Sequence, residues 1–143
     1  MVENATELTV GYLVKRVQQA LRRRSDAALR PTGLSMAQYT ALRALADHPS
    51  ASAAQLARLC FVTRQSLQDV LAGLRADGLI RDATTQAGGR AVALALTPVG
   101  RRRLATGHAA VLAVDAEMVD GLSASARSQL SQALLMCAEQ LER

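Results

Sequence analysis

The stretch that decides the fold is Ser52–Leu96, which reads SAAQLARLCFVTRQSLQDVLAGLRADGLIRDATTQAGGRAVALAL. Ser52 and Gln55 match the capping box that opens a helix, since each side chain can bond the backbone N–H of the other residue. Thr63 is a good N-cap for a second helix. Apolar residues then recur at i, i+3, i+4 and i+7, the spacing of a buried helix face: Leu67, Val70, Leu71 and Leu74.

The sequence also predicts where these two helices join and where the second one ends. Phe61–Val62 is predicted to form an apolar joint, after a first helix that places Leu56, Leu59 and Cys60 on one face. The second helix is predicted to stop near Asp77–Gly78, because Gly permits the left-handed backbone of a helix exit.

A two-stranded arm follows the helix pair. Leu79 to Ala83 and Ala91 to Leu96 are predicted strands with a polar loop, Thr84 to Arg90, between them; period-two alternation supports the second. Thr97–Pro98 then opens another helix, with a hydroxyl cap and Pro at the first helical position. Two helices with a tight joint, followed by a hairpin, are typical of a winged helix-turn-helix, which places one helix in the DNA major groove.

The ordered set of motifs resembles the MarR family of bacterial transcription regulators, over nearly the whole chain. Two residues depart from the family pattern. Gly88 stands where the family usually has Asp, and Asp69 stands where a basic residue is frequent. Besides the capped helix pair, the resemblance is carried by these segments: Leu34-Ser35-Met36-Ala37-Gln38-Tyr39, Leu79-Ile80, Gly89-Arg90-Ala91 and Leu94-Ala95-Leu96-Thr97-Pro98-Val99-Gly100.

The expected fold is mainly α with a small β-hairpin wing, a winged helix-turn-helix with N- and C-terminal dimerisation helices. One MarR-like domain should span residues 1–143. Asn4 and Glu7 are predicted to cap a first helix that runs to about Leu29, and Ser35 with Gln38 should cap the second. The predicted parts are dimerisation helices at 4–30 and 123–143, a DNA-binding lobe at 35–97 and a long connecting helix at 98–121.

The bulk composition narrows the class of protein. A chain of 143 residues, half of them hydrophobic, suits one folded domain rather than a disordered chain. No apolar run reaches the roughly 18 residues of a membrane span, and the opening does not resemble a signal peptide, so we expect a cytoplasmic protein. The net charge of +5 favours a polyanionic partner, although a GC-rich genome would also favour Arg over Lys.

Other functional classes have little support in the sequence. Cys60 and Cys137 form no CxxC pattern, so no zinc site is expected, and both are predicted to be reduced core residues. The peroxide-sensing branch of the MarR family carries its cysteine in the first helix, where this chain has none. His48 and His108 sit in no catalytic or metal-binding pattern, so neither an enzyme, a metal nor a cofactor is expected. The alternatives to a ligand-controlled regulator are a redox-controlled or constitutive DNA-binding regulator and, with less support, a helical protein-interaction adaptor.

The DNA contacts are predicted on the second helix of the pair and on the wing. Thr63 should hold phosphate at the helix N-terminus. Arg64, Gln65 and Gln68 are candidates for base edges, because Arg suits guanine and Gln suits adenine; Ser66 could serve either role. Asp69 could orient an arginine or accept from cytosine. By resemblance Arg90 enters the minor groove, the alternative being an ordinary charge at a hairpin tip.

The resemblance also implies a homodimer and an effector. The terminal helices carry surplus apolar stripes, so a two-fold dimer on a pseudo-palindromic operator is expected. MarR relatives commonly bind small aromatic carboxylates or phenols where the dimerisation helices meet the DNA-binding lobe, and we expect a repressor released by such a ligand. The candidate contacts are Tyr12, Arg16, Tyr39 and Arg43. Tyr39 could instead be core, and the arginines could simply be solvated.

Overall fold

The computed structural model describes residues 6–83 and 93–143, and over these ranges it shows six α-helices and one hairpin. Short 3-10 turns, Thr6–Leu8 and Arg30–Thr32, flank the first helix. The mainly α fold with a two-stranded arm is therefore as predicted. The elements in chain order are α1 Val10–Leu29, α2 Met36–Asp47, α3 Ala53–Leu59, α4 Arg64–Ala76, β1 Ile80–Ala83, β2 Ala93–Leu96, α5 Pro98–Met118 and α6 Ala124–Leu141.

Hydroxyl side chains cap the helices, as the sequence predicted for α2 to α5. Both capping boxes are complete: the Ser35 hydroxyl accepts from Gln38 N at 3.0 Å, and Ser52 and Gln55 bond in the same way. The prediction was wrong for α1. Its cap is Thr9 rather than Asn4, because Thr9 takes an extended backbone (φ −70°, ψ 148°) that separates the preceding 3-10 turn from the helix. Asn4 lies outside the described residues.

The hairpin is antiparallel, with Ile80 opposite Leu96 and Ala83 opposite Ala93. Its first strand begins one residue later than predicted, since Leu79 N still donates to Leu74 O at 2.9 Å and completes the end of α4. Gly78, at φ +73°, supplies the left-handed turn between them. Ala91 and Val92, assigned to the second strand by the sequence, lie outside the described residues.

Gly100 fixes the long helix α5 against the base of the hairpin. A Cβ at this position would lie 2.0 Å from the carbonyl oxygen of Leu79, so no larger residue fits without moving the backbone. The same carbonyl accepts from Thr97 N at 3.0 Å, and the Thr97 hydroxyl donates to Gly78 O at 2.7 Å. The helix-turn-helix, the hairpin and α5 are thus held as one unit.

The core lies between α2, α3, α4, the hairpin and the end of α1. Leu29, Leu42, Leu74 and Leu79 are completely buried there. Three expectations about burial were wrong: Leu59 is 41% exposed, the Phe61 side chain at the joint is 90% exposed, and Cys137 is exposed rather than buried. Leu59 turns outward because α3 is only two turns long and packs through Leu56 and Ala57.

The terminal helices are much less covered than the lobe. The second half of α1 packs along α5, where the Arg24 guanidinium bonds the Glu117 carboxylate. No residue of α6 is buried within the chain, which is the reason that Cys137 is exposed. Along the described residues, no helix combines the length and the apolar character needed to cross a membrane.

Candidate nucleic-acid interface and effector pocket

The N-terminus of α4 is built from two hydroxyl side chains. Thr63 Oγ1 accepts from Ser66 N at 3.0 Å and lies 3.0 Å from Ser66 Oγ, to which it donates. This cap leaves other backbone N–H groups of the first turn facing solvent, and such groups favour an anion. Thr63 and Ser66 thus both stand where the sequence placed a phosphate contact, although the Thr63 hydroxyl already serves the helix.

One face of α4 is anchored and the opposite face is free. Leu67, Leu71 and Leu74 are buried, which holds the helix at a fixed angle on the lobe. The predicted reading residues Arg64, Gln65 and Gln68 are all exposed. Gln65 lies on the opposite face, Gln68 at its side, and Arg64 in the first turn, at the end of the anchored stripe. This arrangement offers one guanidinium and two amides, the groups that pair with guanine and adenine edges in the major groove.

Asp69 makes a contact that the sequence did not predict, and its acceptance from cytosine stays a prediction. Its carboxylate accepts from Gln65 Nε2 at 3.3 Å, one helical turn away. It therefore orients a glutamine rather than an arginine, because the i, i+4 spacing places Gln65 on the same ridge of the helix.

The wing is tied to the end of α4. Arg75 Nε bonds Asp82 Oδ1 at 3.2 Å, which links the reading helix to the first strand of the arm. Arg90, the predicted minor-groove residue, lies outside the described residues, as do Gly88 and Gly89.

A polar cluster lies on the other side of the lobe, where α2 meets α5. Arg43 Nη1 lies 2.6 Å from His108 Nδ1, and the Tyr39 hydroxyl lies 3.0 Å from the same nitrogen. Arg43 also donates to the Tyr39 oxygen at 3.4 Å and, through Nε, to Asp47 at 2.9 Å. Tyr39 is buried, as the core alternative for it predicted, and its hydroxyl lies in the cluster.

The cluster has more donors than acceptors. A guanidinium can only donate, so His108 Nδ1 must accept, which leaves the ring proton on Nε2. One nitrogen lone pair is then shared by Arg43 and the Tyr39 hydroxyl. An anion placed beside Arg43 would supply the missing acceptors, and a carboxylate suits the forked geometry of arginine.

A cavity of about 520 Å³ opens beside this cluster, a size that suits a small organic ligand. Three further charged or polar side chains, Asp47, Arg101 and His108, line it together with Arg43, so the cavity holds two arginines and one carboxylate. The remaining wall is mainly apolar and comes from α2, the second strand and α5: Leu45, Ala46, Pro49, Leu94, Ala95, Leu96, Leu104 and Ala105. The site thus combines positive charge with an apolar floor.

Of the four predicted effector residues, only Arg43 lines this cavity. Tyr39 is in contact with Arg43 without lining the cavity, and Tyr12 and Arg16 are exposed on the first half of α1. His108 was missed as a site residue. Its position four residues after Leu104 and three before Val111 places it on the inward stripe of α5, and this signal was available in the sequence.

No group of three or more His, Cys, Asp or Glu side chains within residues 6–83 and 93–143 is placed to hold a metal ion. Burial raises the pKa of the Cys60 thiol, which makes the reactive thiolate scarcer at neutral pH.

Comparison with known proteins places these features in a family context. The profile of the MarR family matches residues 32–91. The HTH-type transcriptional repressor Rv2887 of Mycobacterium tuberculosis is 34% identical over 130 residues, which cover 91% of this chain and 94% of that protein. The repressor Mb2911 of Mycobacterium bovis is similar to the same extent, 34% over 130 residues.

Solved structures share the arrangement of helices and wing. Rv2887 in complex with salicylic acid gives a TM-score of 0.77 at 33% identity, covering 94% of this chain and 99% of that chain. Rv2887 in complex with DNA gives a TM-score of 0.74 at 32% identity, covering 90% and 97%. The transcriptional regulator PA3341 gives 0.84 at 29% identity, covering 94% and 98%. The similarity includes the terminal helices as well as the central lobe.

Proposed function

Because the chain belongs to the MarR family, we propose that it is a transcriptional repressor that binds specific sites in double-stranded DNA. It acts as a homodimer in the cytoplasm, and a small aromatic carboxylate or phenol releases it from a pseudo-palindromic operator. Its role is regulatory rather than catalytic, in line with the relatives named as repressors.

The observation that carries this proposal is the capped, half-free helix α4. Its buried leucines fix the helix, and its exposed Arg64, Gln65 and Gln68 meet base edges in the major groove. Thr63 and Ser66 place the first turn at a phosphate. Arg90 completes the contact in the minor groove, where narrow A·T stretches attract arginine. A relative solved in complex with DNA supports this docking.

The dimer is proposed from the apolar surface of the terminal helices. Large apolar side chains of α1 and α6 are exposed, which is unusual for a soluble monomer. A second copy related by a two-fold axis covers these faces and sets two α4 helices about one DNA turn apart. The exposed residues of the two stripes are Val10, Leu13, Val14 and Val17 of α1, and Leu130, Leu134 and Leu141 of α6.

The effector is proposed to bind beside Arg43 and His108. Arg43 grips the carboxylate and the ligand ring lies on the apolar wall, while the Tyr39 hydroxyl, which accepts from Arg43 at 3.4 Å and is not part of the wall, positions that guanidinium. Tyr12 and Arg16 join the site only from across the dimer interface. A relative solved with salicylic acid supports this ligand class. Release requires tighter binding to the arrangement that does not fit DNA.

Mobility shift assays on DNA that flanks the protein's own gene test the proposal. We expect DNA binding to weaken steeply as the salt concentration rises, because phosphate contacts release counterions. We also expect salicylate to release the protein from this DNA. Arg43→Ala should leave DNA binding in place and abolish the salicylate response. Arg23→Ala, which removes an exposed arginine outside the cavity, is the matched control. DNA binding that does not change with salt concentration would contradict the proposed DNA contacts. A salicylate response that stays intact in Arg43→Ala would contradict only the proposed effector site.

A further inference from the structure

The face of α4 that points away from the core carries an acidic side chain. Because an α-helix has about 3.6 residues per turn, Gln65 and Asp69 lie almost directly opposite the buried stripe of Leu67, Leu71 and Leu74. Both side chains are exposed. Asp69 therefore stands at the centre of the face that the proposed function turns toward DNA.

A carboxylate at this position weakens the attraction between α4 and DNA, because the phosphates repel a negative charge on the docking face. It does not stabilise the core either, since the side chain is exposed. A group that lowers affinity can still raise specificity, because repulsion of the wrong sequence counts as much as attraction to the right one. The ion pairs among the described residues leave Asp69 unneutralised, since they join Arg24 to Glu117, Arg43 to Asp47 and Arg75 to Asp82.

The contact between Asp69 and Gln65 fixes the orientation of the glutamine amide. Gln65 Nε2 lies 3.3 Å from Asp69 Oδ1. An ionised carboxylate can only accept hydrogen bonds, so the amide nitrogen must face it, and a half-turn of the amide would bring two oxygens together. Asp69 thus holds Gln65 with Oε1 and one remaining N–H directed away from the carboxylate.

An amide held in this orientation distinguishes bases by their exocyclic groups. In the major groove adenine and cytosine present an amino group, whereas guanine and thymine present a carbonyl oxygen. Gln65 Oε1 accepts a hydrogen bond from an amino group and is repelled by a carbonyl oxygen. A glutamine without a fixed orientation could turn its NH2 group toward the carbonyl, and the Asp69 carboxylate opposes that turn.

We propose that Asp69 is a positioning residue that restricts the base read by Gln65, on one strand of the operator, to adenine or cytosine. The inference rests on the proposed DNA-binding function and adds to it the class of base that α4 selects and the residue that imposes the choice. The next residues on the same face, Ala72 and Ala76, are exposed and carry no polar side-chain atom. The choice of base on this face is therefore made by the pair of Gln65 and Asp69.

In vitro selection from a pool of random DNA duplexes with the full-length protein tests the proposal. The wild-type half-site should contain a position that is adenine or cytosine on one strand and excludes guanine and thymine. Asp69→Asn keeps the size of the side chain but can both donate and accept, so Gln65 is no longer held in one orientation. This variant and Gln65→Ala should both accept guanine or thymine at that position.

Two further variants separate the orienting role from a general effect of charge. Asp69→Glu keeps a carboxylate one turn from Gln65 and should preserve the restriction. Asp77→Asn removes an equal charge from the exposed C-cap of the same helix and should also preserve it. All of these positions are exposed, so the variants should melt at the wild-type temperature.

Base analogues in the selected duplex test the contact itself. Replacing the selected adenine by purine, or the selected cytosine by pyrimidin-2-one, removes only the amino group. This change should weaken wild-type binding roughly three- to tenfold, the effect of one hydrogen bond. The same replacement should leave the affinity of Gln65→Ala unchanged.

The outcomes separate this inference from the proposed function. A wild-type pool without an enriched sequence would overturn both. An enriched site at which Asp69→Asn keeps the wild-type restriction, or at which loss of the amino group weakens Gln65→Ala as much as the wild type, would overturn the role of Asp69 and Gln65 alone.

Discussion

Leucine side chains are buried in the central lobe and exposed on the terminal helices. Leu42 and Leu74 of the lobe are completely buried, whereas Leu134 and Leu141 of α6 are 47% and 86% exposed. The periodic spacing of apolar residues is similar in both regions, and both are helical. The difference lies in what covers them, because α2, α3, α4 and the hairpin enclose one another and α6 has no such neighbour among the described residues.

This difference shows that the chain contains two kinds of hydrophobic surface. The lobe carries its own core and the DNA-reading helix, so its shape is set within one chain. The surface of α1 and α6 is apolar without being enclosed, and burying it requires a second chain. For such a protein the stability of the terminal helices depends on protein concentration. The following predictions separate the two regions.

The largest effect is expected from Leu134→Asp in α6. Each copy would bury an uncompensated carboxylate at a cost of roughly 3–5 kcal/mol, and the dimer contains two copies. The dissociation constant should therefore rise by about four orders of magnitude or more. Light scattering should show a monomer at micromolar concentration, and operator binding should be lost with it.

Gln132→Asp is the matched control, because this exposed residue lies on the face of α6 opposite the stripe that contains Leu134. It should remain dimeric. A wild-type protein that is already monomeric at micromolar concentration, or a Leu134→Asp variant that stays dimeric, contradicts the assignment of α6 to the interface.

The second prediction compares two leucines of α3. Leu56→Ala should lower the free energy of unfolding by about 2–5 kcal/mol, since Leu56 is 3% exposed and its loss leaves a cavity in the lobe. Leu59→Ala should cost less than about 1 kcal/mol, since Leu59 faces solvent. Urea titration at fixed protein concentration measures both. Equal costs would mean that Leu59 is covered in the dimer and that the lobe is not self-contained.

The features that the sequence predicted well are local ones. Four helices are capped by the residues that the sequence predicted: Ser35, Ser52, Thr63 and Thr97. Such a cap can be predicted because its hydroxyl bonds the backbone N–H three residues later and needs no distant partner. Gly78 ends α4 for a similarly local reason. Thr9 shows where prediction of caps from the sequence fails. Several polar residues near the start of α1 could cap this helix, and only the backbone conformation decides among them.

The features that the sequence missed depend on contacts between distant segments. Periodicity identifies an apolar face but not what covers it, so Cys137 was wrongly assigned to the core. Tyr39 and Arg43 were proposed for their chemistry, and they are in contact because they lie one turn apart on α2 at i, i+4. Their partner His108 is 65 residues from Arg43 in sequence, and only the packing of α5 on α2 brings it to them.

The third prediction concerns the reading face of the lobe. Gln68→Ala should weaken binding to the matched operator by roughly 1–3 kcal/mol and relax the sequence preference. Gln65→Ala should cost a comparable amount, and Asp69→Ala should cost less, because it removes only the group that orients Gln65 at 3.3 Å. Binding to sets of single-base operator variants measures preference. If Gln68→Ala and Gln65→Ala both keep wild-type affinity and preference, α4 does not read bases through these amides.

The smallest effect is expected from Glu117→Gln, at the exposed contact between α1 and α5. The hydrogen bond from Arg24, together with its charge, holds the pKa of Glu117 below its ordinary value of 4.5. A lowered pKa in the folded state means that the ion pair stabilises the fold above about pH 4.5 and that this contribution is lost as the pH falls through the folded-state pKa. Glu117→Gln should therefore melt slightly below the wild type at pH 7, and the gap should close in acid. Asp82→Asn, which removes the exposed ion pair to Arg75 within the lobe, provides the comparison. Because Arg24 and Glu117 join the dimerisation helix to the long helix that carries the lobe, a gap that persists at acidic pH would show that Glu117 stabilises their junction by packing rather than by charge.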